Sequence, residues 1–332
     1  MRAAVLSFSE RGAQTAKRVA EALGGEYEIR LYAPRGNLSE LTGELFRSED
    51  ALIFVGACGI AVRAIAPYVA DKTSDPAVLV LDELALHVIS LLSGHIGGAN
   101  ALCWKLAAAL ESDAVVTTAT DVNRRFSVDA WAARQGLKIS SMKTAKLYSS
   151  AILRRDLPLY TDLPIEGELP PGVYYGDTGT VGAAVSCRDV APFKNTLLLV
   201  PPALYVGIGC KRDTPRERIA EAVDGVFSAN ALRPEAAAGF ASIDVKSDEA
   251  GLLAYASERG VPIRFFTAEE LRAVPGEFSA SAFVAGTVGV DNVCERSAVA
   301  AAGAGARLIV KKTANNGVTV AVALADRRIC FE

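Results

Sequence analysis

The sequence predicts an α/β protein with N-terminal and C-terminal α/β domains, each built on a mainly parallel sheet, joined by a small proline-rich middle region. Short apolar segments alternate with amphipathic stretches over residues 1–135, and this alternation begins again at residue 203. Prolines are concentrated between the two regions. We therefore predict an N-terminal domain over 1–135, a middle module or linker over 136–202 and a C-terminal domain over 203–332.

The apolar segments of the N-terminal region have the length of buried strands. They are 3–8, 28–32, 51–55, 77–81, 87–92 and 114–118. Helices are expected over 12–23, 60–69 and 97–110. In the last of these, Leu102, Leu106 and Leu110 share one helix face. Strands that are apolar throughout, with helices between them, favour a parallel sheet covered on both sides.

The middle region has prolines at 158, 164, 170, 171, 192, 201 and 202. Because proline fixes φ and removes an amide donor, we expect a turn-rich module or linker with short strands such as 181–186.

The C-terminal region has three apolar segments that predict strands, at 203–209, 307–310 and 318–324. Thr214 is the predicted N-cap of a helix, with Pro215 at the first helical position and Glu217 three residues after the cap. The segment 267–270 has the same capping-box pattern.

The charge pattern argues against nucleic-acid binding, because the net charge is −3 and the basic residues are scattered. No apolar stretch of about eighteen residues predicts a membrane span, and the N-terminal apolar run is too short for a signal peptide. The six cysteines form no CxxC pair, which favours reduced thiols in the cytoplasm. With only two histidines and no ligand cluster, a protein-bound metal is not expected.

The loop Ser93–Asn100, which reads SGHIGGAN, is the strongest candidate for chemistry. A histidine between glycines is poorly suited to a core and would follow a strand at the edge where open α/β sheets bind ligands. His95 is therefore a candidate proton-transfer group, although it could also only brace the loop. Asp121, in the segment 117–121, follows the next strand. It would either orient His95 or cap a helix.

Three further glycine-rich segments, 56–63, 205–212 and 286–296, could bind a ligand, and the first two suit an anionic one. Glycine lets the backbone approach a ligand closely, and a following helix directs free amides at it. For the segment 56–63 the alternative is a tight turn without a ligand. Glu295 could equally stabilise the start of a helix. The G-x-G-x-x-G pattern of dinucleotide sites is absent, which makes NAD an unsuitable ligand.

Together these motifs resemble the cobalt-precorrin-5A hydrolase family of anaerobic cobalamin biosynthesis. The resemblance lies in 54–67, 71–83, 88–100, 117–121, 207–215, 242–253, 288–298 and 317–323. It implies a cobalt-bound corrinoid substrate with acetate and propionate arms. The enzyme, a hydrolase acting on a carbon–carbon bond, opens a δ-lactone and releases acetaldehyde to give cobalt-precorrin-5B. It implies no cofactor, since the substrate carries the cobalt.

We expect a base and oxyanion donors for this reaction. His95 is the predicted base, assisted by Asp121 or Glu295, and the amides of 94–98 are the predicted oxyanion donors. The predicted substrate-binding residues are Gly56, Gly59, Arg63, Ser93, Gly94, Gly97, Gly98, Thr120, Gly207, Gly209, Cys210, Lys211, Arg212, Asp291 and Asn292. They are expected to line a cleft between the two α/β domains.

Two other functions stay open at this point. A corrin-pathway methyltransferase would need a site for S-adenosylmethionine, which a glycine turn alone does not distinguish. A corrinoid-binding protein without activity would bind the substrate and release no acetaldehyde. Neighbouring enzymes of the cobalamin pathway are further candidate partners. A homodimer is compatible with the sequence but is not indicated by it.

Overall fold

A computed structural model describes residues 1–71, 74–279 and 290–331. The chain divides into two compact units, Met1–Ala133 and Arg134–Glu332. Among the described helices, none combines the length and apolar character needed to cross a membrane.

The first unit is built on one six-stranded sheet. Its strands are β1 (Arg2–Ser7), β2 (Glu28–Tyr32), β3 (Ala51–Val55), β4 (Ala77–Leu81), β5 (His87–Leu92) and β6 (Asp113–Val115). Their order is β2-β1-β3-β4-β5-β6. The first four in this order are parallel, β5 is antiparallel to β4, and β6 is parallel to β5. The mainly parallel sheet is confirmed. The short connection 82–86 explains the one reversal, because a parallel pair needs a longer crossover.

Helices cover both faces of this sheet. They are α1 (Glu10–Leu23), α2 (Leu38–Ser48), α3 (Cys58–Ile65), α4 (Ala99–Leu110), α5 (Ala119–Val122) and α6 (Val128–Arg134). Alternate residues of β3 face opposite sides: Ile53 packs with the cluster of α1 and α4, and Phe54 with that of α2 and α3. Such two-sided burial explains why the central strands β3 and β4 are apolar throughout. The helix α2 was not predicted from the sequence.

The second unit contains two five-stranded sheets and the strand pair β18–β9. Its strands are β7 (Lys138–Ile139), β8 (Leu157–Thr161), β9 (Ile165–Glu166), β10 (Val173–Tyr175), β11 (Val181–Val185), β12 (Asn195–Val200), β13 (Leu204–Cys210), β14 (Ala237–Ile243), β15 (Ile263–Phe266), β16 (Arg307–Asn315), β17 (Val318–Leu324) and β18 (Ile329–Cys330). Its helices are α7 (Met142–Ile152), α8 (Arg216–Ala229), α9 (Ala250–Arg259), α10 (Ala268–Ala273) and α11 (Val293–Ala302).

The middle region forms a sheet in the order β10-β8-β11-β12-β7, in which β7 alone is antiparallel to its neighbour. Of its prolines, only Pro158 lies within a strand; the others occupy connections, where no ladder hydrogen bond is lost. The predicted boundaries near 135 and 202 stay predictions, and the middle and C-terminal sheets fall in the same compact unit.

The C-terminal sheet has the order β15-β14-β13-β17-β16. β13, β14 and β15 are parallel, and β17 is antiparallel to both of its neighbours. The capping box of Thr267 and Glu270 is confirmed at the start of α10. The predicted N-cap at Thr214 is wrong by one position, because Pro215 is the N-cap of α8 and Thr214 Oγ1 donates to the carbonyl of Lys211 at 2.8 Å.

Candidate active site

The loop that carries His95 runs from Ser93 to Gly98, between β5 and α4. Ser93 and Gly98 both have left-handed backbone, with φ of 57° and 85°. A Cβ at Gly94 would lie 2.6 Å from Asn100 Oδ1, and one at Gly97 would overlap the side chain of Ser93. These glycines, predicted to bind substrate, are therefore required for the loop to close on itself. The Gly98 amide, a predicted oxyanion donor, donates instead to the His95 carbonyl at 3.1 Å.

His95 lies between two carboxylates. Its Nε2 is 2.8 Å from Asp121 Oδ2, and its Nδ1 is 3.3 Å from Asp129 Oδ1. Thr120 Oγ1 is 3.3 Å from the same Nε2. The three charged side chains are largely enclosed, with exposures of 19% for His95, 15% for Asp121 and 9% for Asp129. The structure thus brings together the predicted residues His95, Asp121 and Thr120.

Asp129 was missed by sequence reasoning. It lies in the first turn of α6, where an acidic residue is common because it stabilises the helix. The pattern Ser127-x-Asp129 therefore gave no signal that distinguishes a site residue from an ordinary helix start.

A polar network fixes Asp121. Asn100 Nδ2 donates to Asp121 Oδ2 at 3.0 Å and to Thr118 Oγ1 at 2.9 Å. The hydroxyl of Thr118 donates to the same Asp121 oxygen. Ser90 Oγ donates to Asn100 Oδ1 at 2.7 Å, which sets the orientation of the Asn100 amide. With several donors on one oxygen, the carboxylate is held in one position.

The environment favours the charged form of the imidazole. The hydrogen bond to Asp129 is the main cause that raises the pKa of His95; burial opposes it, and the bond to Asp121 adds to it. An imidazolium donates from both nitrogens, which matches an acceptor at each end of the ring. In this state His95 is a proton donor, and it can act as the predicted base only after it has lost a proton.

The segment Gly56–Arg63 lies at the opposite edge of the sheet from His95. Gly56 follows Val55, which pairs with Leu81 at the carboxyl end of β4. The strand β5 runs the other way, and its last residue, Leu92, pairs with Val78 near the start of β4. Since β6 is parallel to β5, the segments after both strands share the edge that carries His95 and Asp121. The structure therefore does not place Gly56, Gly59 and Arg63 beside His95.

The predicted residues of the second unit lie at the end of β13. Gly207, Gly209 and Cys210 are part of the strand itself, and Lys211 and Arg212 follow it. A Cβ at Gly207 would overlap the carbonyl oxygen of Cys294 in α11, and one at Gly209 would lie 2.6 Å from Thr319 Oγ1. Both glycines are thus explained by packing.

The polar side chains at the end of β13 differ in their surroundings. Burial raises the pKa of the half-buried Cys210 thiol, which disfavours a nucleophilic thiolate. Arg212 is exposed and forms an ion pair with Asp248 at 2.5 Å. Sequence reasoning also missed a nearby pair: Lys246 Nζ is 3.1 Å from Glu249 Oε2.

Asp291, Asn292 and Glu295 brace the start of α11. Asn292 caps the helix: its Oδ1 accepts from the Glu295 amide at 2.9 Å, and its Nδ2 donates to the Ser279 carbonyl at 2.8 Å. Asp291 pairs with Arg296 at 2.7 Å. A role of these residues in substrate binding stays a prediction. The glycines of the predicted turn, at 286 and 289, lie outside the described residues.

Glu295 is fully buried within this arrangement. Its Oε2 accepts from the Ser279 amide at 2.7 Å, and its Oε1 accepts from Ser279 Oγ at 2.8 Å and from the Lys312 amide at 2.7 Å. Burial alone would raise the pKa of Glu295, but the amides of Lys312 and Ser279 outweigh it and lower the pKa. Both oxygens are thus bound within the unit, which fits a bracing role.

Within the described part of the chain, no three histidine, cysteine, aspartate or glutamate side chains are grouped as ligands of a metal ion.

Comparisons with known proteins match both end regions of the chain to the same family. Residues 40–121 match the family described as Cobalamin synthesis G N-terminal, and 204–323 match Cobalamin synthesis G C-terminus. A Salmonella typhimurium protein named cobalt-precorrin-5A hydrolase is 39% identical over 272 residues, 78% of each chain. A Priestia megaterium protein of the same name is 32% identical over 321 residues, 91% of this chain and 85% of its own.

Among solved structures, a Sulfolobus solfataricus protein described as a homolog of cobalamin biosynthesis protein G is 24% identical, with a TM-score of 0.44 over 97% of this chain and 96% of its own. The structural likeness is too low to support an argument, whereas the Salmonella and Priestia relatives share 39% and 32% of their residues over most of the chain. The chain belongs to the cobalt-precorrin-5A hydrolase family.

Proposed function

We propose that this chain hydrolyses cobalt-precorrin-5A, opening its δ-lactone and releasing acetaldehyde to give cobalt-precorrin-5B. The observation that carries the proposal is the identity to relatives of that name, 32% over 91% of the chain in one case. Identity spread over so much of the chain favours the same reaction over a shared fold alone, since one fold hosts many functions.

The reaction needs a base and an acid, and the His95 site contains side chains that can serve as both. Water adds to the lactone carbonyl, a base takes its proton, and the alkoxide that leaves takes a proton from an acid. In the second stage a base removes the new hydroxyl proton, the carbon–carbon bond breaks, and its electron pair stays with the macrocycle as acetaldehyde departs. His95 and Asp121, 2.8 Å apart at one sheet edge, are our candidates for these transfers.

The corrinoid is an anion because of its acetate and propionate arms. Lys211 and Arg212, at the end of β13, are our candidates to bind these carboxylates. Arg63 lies at the edge of the first sheet opposite to His95, so it is not proposed as part of the His95 site. The cleft between the two α/β domains stays a prediction. We also propose that no protein-bound metal or redox cofactor takes part, because the cobalt arrives with the substrate.

We also propose that the chain works in the reducing environment of the cytoplasm, because its six cysteines are irregularly spaced and form no CxxC pair.

The test is to incubate the purified chain with cobalt-precorrin-5A under anaerobic conditions and to trap acetaldehyde as a hydrazone. We expect one acetaldehyde per corrinoid, together with loss of the two-carbon unit in the mass spectrum of the product. A methyltransferase would instead add a methyl group in the presence of S-adenosylmethionine. A corrinoid-binding protein would shift the absorption spectrum of the substrate and release no aldehyde. Either result would refute the proposal.

A matched pair of variants tests the site. His95→Gln is expected to lower kcat by about a hundredfold, in the range found for loss of a general acid or base. His87→Gln removes the only other histidine, which is half-exposed and 3.4 Å from Asp82, and is expected to keep the parental rate. Equal rates for both variants would exclude His95 from the reaction.

A further inference from the structure

We infer that Asp129 is a positioning residue that fixes the orientation and the charge of His95, so that His95 enters the reaction as a proton donor and becomes a base only in the second stage. The inference rests on the proposed function, and it adds both a residue and an order of proton transfers.

The hydrogen bonds at its two nitrogens fix the orientation of the His95 ring. Asp121 and Asp129 meet the ring from two different helices, α5 and α6, at Nε2 and Nδ1. A half-turn of the ring would replace each nitrogen by a carbon and break both hydrogen bonds. The ring is therefore restricted to one orientation, with a defined nitrogen facing each carboxylate.

Asp129 is itself held in place. Ser127 Oγ donates to Asp129 Oδ1 at 3.2 Å, and the Ala130 amide donates to the same oxygen at 3.1 Å. The side chain is only 9% exposed, so its position is set by the start of α6 and not by solvent. A carboxylate fixed in this way keeps its hydrogen bond to the ring while the other end of the imidazole exchanges a proton.

The charges around the ring explain why His95 is protonated before the reaction. Two carboxylates face the imidazole, Asp121 from α5 and Asp129 from α6, while α4 contributes the neutral Asn100 to the same network. Two negative groups beside one imidazole stabilise the imidazolium. The resting site therefore holds a proton on each ring nitrogen.

The protonated state of His95 determines the order of the proton transfers. As the lactone opens, Asp121 takes the proton of the attacking water, and His95 Nε2–H gives its proton to the departing alkoxide oxygen. The products of this stage are a carboxylic acid, a hydroxyl and a neutral imidazole that Asp129 still holds at Nδ1. The imidazole then takes the hydroxyl proton as the carbon–carbon bond breaks. Asp121 releases its proton to solvent, and the site returns to its first state.

The first test reads the ring directly and needs no substrate. The chain has two histidines, so His87→Gln leaves His95 as the only one. We expect ¹⁵N NMR of this variant at pH 7 to show both ring nitrogens protonated, and Asp129→Asn to move the titration midpoint downward. A neutral ring at pH 7, or an unchanged midpoint in Asp129→Asn, would overturn the inference whether or not the chain hydrolyses the substrate.

The second test uses kinetics. Asp129→Asn is expected to lower kcat by about tenfold to a hundredfold with little change in KM, and to shift the pH profile of kcat toward lower pH. Asp129→Glu keeps the charge and should recover part of the rate. Asp113→Asn makes the same change at an exposed aspartate of β6 and should behave like the parent. A parental kcat and pH profile in Asp129→Asn would refute the positioning role.

The two tests separate this inference from the proposed function. Absence of acetaldehyde with the parental chain would refute the function, while the NMR titration would still report the state of His95. If Asp129→Asn proves unstable, the NMR spectrum of the His87→Gln variant and the pH profile of Asp129→Glu decide the question.

Discussion

Gly207 of β13 lies directly against the carbonyl oxygen of Cys294 in α11, so closely that a Cβ at position 207 would overlap this oxygen. Cys294 is in the first turn of α11, which packs on the sheet at this point. The absence of a side chain at 207 therefore lets the helix approach the strand. The contact gives Gly207 a structural role, and its predicted role in substrate binding stays a prediction.

Gly207→Ala is expected to destabilise the second unit by about 3 kcal/mol, because the methyl group must displace a helix backbone and not a flexible side chain. Urea unfolding followed by circular dichroism measures this. The control is Gly225→Ala in the exposed face of α8, where a Cβ meets nothing within 4 Å. That change should stabilise the chain by about 0.5–1 kcal/mol, since alanine favours the helix. Similar effects of the two substitutions would contradict the packing argument.

Glu295→Gln is expected to cost about 3 kcal/mol of unfolding free energy, because the glutamine amide presents a donor to groups that are themselves donors. Ser279 and Lys312 supply these groups. Glu221→Gln, at an exposed position of α8, should change stability by less than about 0.5 kcal/mol. A stable Glu295→Gln protein would mean that the carboxylate is not needed as a brace.

The carboxylate of Glu295 also makes the stability of the folded chain depend on pH in the acid range. The pKa of Glu295 is lowered in the folded chain, although its burial opposes this, because the amides of Lys312 and Ser279 stabilise the anion. Its contribution to stability is present above the unfolded value of about 4.3 and is lost as the pH falls through the lower folded value. The stability difference between the parent and Glu295→Gln should therefore shrink below pH ~4. A constant difference down to pH ~2 would contradict this prediction.

His95 predicts the opposite pH dependence. Its pKa is raised mainly by the hydrogen bond to Asp129, so its contribution to stability is complete below the unfolded value of about 6.5 and is lost as the pH rises through the folded value. The advantage of the parent over His95→Gln in urea unfolding should be largest at pH ~5–6 and smaller at pH ~9. An advantage that grows with pH would show that the folded site prefers the neutral imidazole.

Ser93 combines two unfavourable features next to His95. Its φ is 57°, and its buried hydroxyl has no hydrogen-bond partner among the described residues. Ser93→Gly removes both and is expected to stabilise the chain by about 1 kcal/mol. Ser93→Ala removes only the hydroxyl and keeps the strained backbone, so its gain should be smaller. Thermal unfolding of the two variants checks the order. A less stable Ser93→Gly protein would refute the prediction.

The strands of the N-terminal region and three of the five strands of the C-terminal sheet could be predicted from the sequence, because a buried strand leaves a run of apolar residues. The strands β14 and β15 were not predicted. The sequence by itself also determined the capping box of Thr267 and Glu270, since the residues concerned are three positions apart. His95 and Asp121 could be paired from sequence because each follows one of two neighbouring parallel strands.

Other features follow from contacts between distant parts of the chain. The reversal of β5 placed the turn Gly56–Arg63 at the far edge of the sheet, and the packing of α6 brought Asp129 to the second nitrogen of His95. A glycine near the end of a strand gives the same sequence pattern whether a ligand or a helix approaches it, so the contact of Gly207 with Cys294 could not be foreseen. These features depend on partners many residues apart. Their proximity is set by how strands pair and helices pack, which local sequence patterns do not encode.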